Sequence, residues 1–143
     1  MMHYFRRINF AFTMNFYTLL IVGTGGFIGT VGRFLTGRLV ENAMGSSFPW
    51  GTMVVNVFGS FIIGVVYGLT LREDLLNRNW RFFLATGVCG GYTTFSAFAV
   101  ENLSMINQKM VGSSILYVFA TIILGLLAVF SGAMIGKALS SQA

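Results

Sequence analysis

Phe82-Phe-Leu-Ala-Thr-Gly-Val-Cys-Gly-Gly-Tyr-Thr-Thr-Phe-Ser-Ala-Phe-Ala-Val100 is the stretch that decides how this chain is read. Its 19 residues hold no group that is charged at neutral pH. A helix of that length rises roughly 28 Å, close to the ~30 Å hydrocarbon core of a bilayer. A lipid-facing span should be monotonous and aliphatic, yet this one carries Gly90, Gly91, Thr93, Thr94 and Ser96 near its centre. Backbone that leaves a helix inside lipid finds no water, so it is tolerated only when buried in protein or lining a cavity. The stretch predicts a broken helix beside a path for something small.

The rest of the chain agrees with a membrane setting. Hydrophobic residues make up 55% of the 143, and charged residues only 9%, against about 25% charged in soluble domains. A single Cys and a single Pro exclude an intrachain disulfide framework and a cysteine-based metal site. Cys89 reads as a small buried hydrophobe. The net charge of +5 comes from basic residues scattered at the ends of apolar runs. That scatter is what membrane insertion uses, and it gives no basic face for nucleic acid. The fold expected is an all-α integral membrane domain over 1–143.

Four spans are visible, at about 16–32, 50–71, 82–100 and 111–136, joined by short links. Residues 1–15 form an N-terminal extension with Arg6 and Arg7 but no small-residue cleavage site behind them, so the first span is expected to be retained. Met14 stands directly before Asn-Phe-Tyr, which makes it an alternative start to Met1. Trp50 and Trp80 are placed as interfacial anchors. Gly25 with Gly29, and Gly64 with Gly68, lie at the four-residue spacing that lets helices approach closely. With four spans, the termini and the second loop share one side, which holds Arg6, Arg7, Arg72, Arg78, Arg81 and Lys137. The other side holds Arg33, Arg38 and Lys109. Six against three favours termini inside. Counting from Met14 leaves four against three, a bias weak enough to permit insertion both ways.

Several polar residues inside the spans are candidates for chemistry. Asn56 is a full amide in an apolar helix, costly without partners. It is either a helix–helix hydrogen bond or a donor facing a pore. It lies six residues past Trp50, roughly 9 Å deep, while Phe95 and Phe98 lie roughly 8 Å and 3 Å below Val100 on the same side. The amide and the rings therefore fall in one half of the membrane. Phe95 and Phe98 share a helix face, as core filling or as a wall. With Thr93, Thr94 and Ser96, the wall would present ring edges and hydroxyl hydrogens, all partly positive, suited to a small anion. Unwinding at Gly90-Gly-Tyr-Thr93 would turn carbonyls inward toward a cation, or would be a packing kink. Arg33 ends the first span, as a snorkelling residue or as an attractor of anions at a pore mouth. Glu101 is either its partner or a solvated carboxylate. Ser114, Tyr117 and Thr121 form a hydroxyl stripe in the fourth span, as a polar track or as interhelical bonding.

No catalytic constellation is present, so an enzyme is not expected: the one His is His3, and no acidic residue lies within the four spans as bounded.

These motifs resemble the CrcB/Fluc fluoride channel family. The likeness rests on Gly25-Gly-Phe-Ile-Gly-Thr-Val-Gly-Arg33, Pro49-Trp-Gly-Thr-Met-Val-Val-Asn-Val-Phe-Gly-Ser60 and Gly87-Val-Cys-Gly-Gly-Tyr-Thr-Thr-Phe-Ser-Ala-Phe98, and it covers most of residues 20–135. The resemblance implies an antiparallel, dual-topology homodimer in the inner (plasma) membrane, with two pores for fluoride and no other protein partner. It implies that Phe95 and Phe98 line the pore with Asn56; the hydroxyls of Thr94 and Ser96, and in span four those of Ser114, Tyr117 and Thr121, which no distinctive motif anchors, are expected to join them. It places Arg33 at the vestibule, and a structural Na⁺ at the dimer centre on the backbone carbonyls of Gly90 and Thr93. The chain departs from the family at Ala97, where the motif often continues TTFSTF, and in its longer N-terminus. The function implied is passive fluoride export that protects against fluoride toxicity. A dual-topology multidrug exporter would need a carboxylate in a span to couple protons. A non-transporting assembly subunit would leave the polar break without purpose.

Overall fold

A computed structural model describes residues 16–71 and 76–142 of the chain. The N-terminal extension over 1–15 and residues 72–75 of the second loop lie outside the described residues. All regular structure among them is helical. Helix α1 covers Phe16–Met44, α2 Trp50–Thr70 and α3 Arg78–Arg81. A π-helical stretch over Phe82–Cys89 follows, then α4 Gly90–Tyr92, α5 Phe95–Asn107 and α6 Val111–Gln142. Phe16–Met44, Trp50–Thr70, Arg78–Asn107 and Val111–Ser141 make four segments long and apolar enough to cross a membrane.

Three segments run past the ends expected from hydropathy, the fourth reaching Gln142 where 136 was expected. The first was expected to close at Arg33, yet α1 continues to Met44. Arg33, Leu35, Arg38 and Leu39 all favour helix, and the stop comes only at Gly45, whose φ of +82° is the left-handed cap that glycine adopts without strain. The third segment was expected to end at Val100, yet α5 runs to Asn107. It stops where Lys109 takes φ 62° and Met110 N–H reaches back to the Met105 carbonyl at 2.8 Å. Glu101 is therefore inside the helix bundle, which corrects the expectation that no acidic residue lies within a span.

Glycine decides which helices touch. A Cβ on Gly25 would sit 2.6 Å from the Phe83 carbonyl and 3.0 Å from the Gly87 Cα, so α1 rides directly on the third segment. Gly91 meets the Gly26 backbone in the same contact. On the other side, Gly64 and Gly68 of α2 face Val129, Ala133 and Gly136 of α6, and Gly132 faces Phe61 and Val65 in return. Backbone-to-backbone approach of this kind replaces the hydrophobic effect, which gives no drive between helices already in lipid. Both expected glycine pairs make such contacts. Outside these seams the molecule presents large apolar side chains, including Phe27 and Phe95.

Candidate functional site

The third segment leaves helical geometry at Thr93 (φ −78°, ψ 157°) and Thr94 (φ −148°, ψ 121°). The unwinding expected over Gly90–Thr93 begins later than the glycines suggest, because Gly90–Tyr92 is helical. Gly91 serves close packing against α1, and two β-branched residues, at home in extended backbone, make the break. Thr93 Oγ1 donates back to the Cys89 carbonyl at 3.0 Å. Thr94 caps α5, its hydroxyl accepting from Ala97 N–H at 3.2 Å.

Asn56 of α2 holds the break. Its Nδ2 donates to the Thr94 carbonyl at 2.9 Å, and its Oδ1 accepts from Thr94 N–H at 2.8 Å. The amide thus pairs with one residue's backbone as a neighbouring strand would. The same bond removes the ordinary i+4 donor of the Gly90 carbonyl, since Thr94 N–H is committed to Asn56. The second Nδ2 hydrogen is not used in this clamp.

An open cavity of about 570 Å³ adjoins the break, lined by Asn56, Gly90, Thr94, Phe95, Phe98 and Thr121 among others. The Phe95 and Phe98 rings lie 5.8 Å apart and tilted by 42°. Phe95 is 79% exposed, whereas Phe98 rests on the Tyr117 ring at 4.9 Å. Thr121 Oγ1 is the one buried side-chain oxygen or nitrogen among the described residues with no hydrogen-bond partner. A second cavity of about 690 Å³ is lined by Arg33, Arg38, Thr52 and Ser96 among others. Thr94 lines both, so the break borders each cavity. The Ser96 and Thr94 hydroxyls stand 3.3 Å apart at the break.

The hydroxyl stripe of the fourth segment divides. Thr121 reaches the first cavity. Ser114 donates to Asn102 Oδ1 at 2.8 Å, and Tyr117, wholly buried, donates to Glu101 Oε2 at 2.7 Å. Neither lines either cavity; both tie α5 to α6, and Tyr117 backs the Phe98 ring. Glu101 is neither partner to Arg33 nor left to solvent, because Thr52 also donates to its Oε1 at 2.6 Å. Arg33 instead donates to the Thr93 carbonyl at 3.3 Å. Thr52 and Asn102 are residues that sequence reasoning missed. Thr52 carried a signal, lying one helical turn before Asn56.

For a hard cation the chain offers carbonyl oxygens, the right chemistry. The Gly90 carbonyl lacks its helical donor, and the Thr93 carbonyl keeps one lone pair beyond the Arg33 contact. Among the described residues no group of three His, Cys, Asp or Glu could hold a metal. Two carbonyls from one chain would not by themselves complete the shell of such a cation.

Comparison with known proteins gives one family: the description "CrcB-like protein, Camphor Resistance (CrcB)" matches residues 20–133. Several proteins named fluoride-specific ion channel FluC are similar along most of their length. One from Agrobacterium fabrum is 40% identical over 119 residues, which is 83% of this chain and 95% of that protein. One from Thermus thermophilus is 43% identical over 120 residues, covering 84% and 95%. One from Leptospira interrogans is 46% identical over 96 residues, covering 66% and 76%. The names are those of ion channels and of no enzyme.

Proposed function

The chain belongs to the CrcB family, and from that membership we propose that it is a passive, fluoride-selective channel that lets fluoride leave the cytoplasm. The observation that carries the reading is the Asn56–Thr94 clamp beside a cavity lined by Phe95, Phe98 and Thr121, whose buried hydroxyl has no partner. Fluoride is small and strongly hydrated, so it gives up water only where several donors replace it. The free Nδ2 hydrogen of Asn56, the hydroxyl of Thr121 and the ring edges of Phe95 and Phe98 supply such donors without a fixed cation that would trap the ion. The break adds the N-terminus of α5, whose unbonded N–H groups carry partial positive charge between the two cavities. Thr94 and Ser96 sit at that helix start. Arg33 gives the second cavity the positive charge of an anion vestibule, since the other two charges that line it, Arg38 and Glu41, pair with each other at 4.0 Å. Ser114 and Tyr117 act from behind, holding α5 and Phe98 in place.

The working unit in this reading is an antiparallel homodimer of dual topology in the plasma membrane. Its support is the four-against-three charge balance counted from Met14 and the exposure of Phe95, which leaves one wall of the cavity for a second copy to complete. Gly90 and Thr93 of two copies would hold a structural Na⁺, which supplies fixed positive charge at the centre of the assembly. An exporter coupled to protons needs its carboxylate in the substrate path. Glu101 instead spends both oxygens on Thr52 and Tyr117 and lines a separate pocket of about 220 Å³ with residues 46–49, and Glu41, which lines the second cavity, is paired with Arg38 at 4.0 Å.

The test is fluoride efflux from liposomes holding purified protein, read with a fluoride electrode, alongside growth of a fluoride-sensitive host. Efflux and rescue are expected. Well-folded protein that passes no fluoride would refute the function, and drug resistance without fluoride rescue would favour the exporter.

A further inference from the structure

Three side chains of α1, each three residues from the next, meet the last residues before the break. Thr30 Oγ1 donates to the Gly91 carbonyl over a long 3.5 Å, Arg33 to the Thr93 carbonyl at 3.3 Å, and Thr36 Oγ1 accepts from the Tyr92 hydroxyl at 3.0 Å. A helix that stops inside a bundle leaves its last carbonyls without donors, and this rail answers part of that need from the neighbouring helix. Tyr92 is its anchor. Its ring is 8% exposed and seated where glycine leaves room, since a Cβ at Gly32 would lie 3.4 Å from its Cδ2 and one at Gly59 3.1 Å from its Cδ1. Phe58 meets the ring edge-on at 6.1 Å. The pocket fixes the ring laterally, and the hydroxyl on Thr36 fixes how far it reaches along α1.

We propose that Thr36 and Tyr92 are a positioning pair that sets where the third segment stops being helical. In this arrangement α1 grips the break through Thr36 and α2 grips it through Asn56. Tyr92 is followed at once by Thr93 and Thr94, so its height on α1 places the Thr94 backbone opposite the Asn56 amide. The pair touches no ion, and its link to conduction rests on the channel reading above.

The test compares Thr36→Val, Tyr92→Phe, the double variant and Thr36→Ser, each checked for a single symmetric peak on size exclusion. Two readouts are taken: fluoride efflux from liposomes, and hydrogen–deuterium exchange of peptides covering 91–96 against peptides covering 64–68. Thr36→Val and Tyr92→Phe should each slow efflux about fivefold and speed exchange at 91–96 by a like factor, the worth of one hydrogen bond. Exchange at 64–68 should stay unchanged, because the α2–α6 seam is remote from the pair. The double variant should match the singles, and Thr36→Ser should stay within about twofold of wild type. Singles that behave as wild type, losses that multiply to about 25-fold in the double variant, or a Thr36→Ser as damaged as Thr36→Val would each overturn the proposal. A wild-type protein that passes no fluoride refutes the channel reading instead, and the exchange at 91–96 still decides the pair.

Discussion

Replacing Asn56 separates two jobs that the structure assigns to one amide. In Asn56→Leu both groups of the clamp are lost, and Thr94 N–H and C=O are left unpaired inside the bundle. Each unpaired group costs about 1–3 kcal/mol, so about 2–6 kcal/mol is lost in total, a large part of a typical 5–15 kcal/mol stability. In Asn56→Asp the acceptor for Thr94 N–H survives, but an oxygen replaces Nδ2 at 2.9 Å from the Thr94 carbonyl. The charge matters more than the lost bond. A carboxylate about 4 Å from a passing anion opposes it by about 4 kcal/mol at an effective dielectric of about 20. At 1.4 kcal/mol per decade that is close to a thousandfold loss of flux. The leucine variant is therefore expected to lose more stability, and the aspartate variant more conduction. Liposome efflux gives the second quantity, and thermal midpoints of the detergent-solubilised protein give the first. A folded Asn56→Asp protein that conducts within tenfold of wild type would refute the placement of this amide beside the ion path.

Other perturbations test neighbouring parts of the argument. Thr121→Val removes a hydroxyl that bonds nothing in the protein, so stability should move by less than about 0.5 kcal/mol while efflux falls about fivefold; unchanged efflux would remove Thr121 from the path. Phe95→Ile trims a ring that is 79% exposed, so the fold should survive, yet loss of the positive ring edge should slow efflux at least tenfold, and full efflux would count against an aromatic wall. Gly29→Ala drives a Cβ into the Val88 carbonyl and to 2.8 Å from Tyr92 N, at about 1–3 kcal/mol, whereas Gly23→Ala meets nothing within 4 Å and should be neutral; equal thermal midpoints for the two would undo the account of the α1 seam. Exchanging sodium for potassium should lower the thermal midpoint of the purified protein if the Gly90 and Thr93 carbonyls hold Na⁺, and identical midpoints would dismiss that ion.

Hydropathy located the apolar segments but misplaced their ends. A span is bounded by where charge begins, whereas a helix is bounded by where its backbone can no longer bond. Arg33 and Glu101 satisfy the first criterion and not the second, so both α1 and α5 run on to a left-handed residue, Gly45 and Lys109. The glycine spacing was a good guide because a missing Cβ acts locally and marks its own seam. Its partners were less legible: Gly87 and Gly91 lay inside a motif that invited a chemical reading, and Gly132 and Gly136 were not singled out.

By itself, the sequence determined that the chain is a bundle of apolar helices with a polar interruption in the third segment, and that Asn56 lies near the level of the phenylalanines. Composition and periodicity along one strand of text carry that much, because each depends on residues close together in the chain. Only the tertiary structure decided what the polar groups bond to. Asn56 reads the backbone of Thr94 across 38 positions, Arg33 reaches Thr93 rather than Glu101, and Tyr117 turns toward Glu101 and away from the cavity. A side-chain hydrogen bond is specified by direction and by a few tenths of an ångström, and those are set by how the helices cross. The break itself shows the same division: the glycines announced it, and the threonines and a distant amide make it.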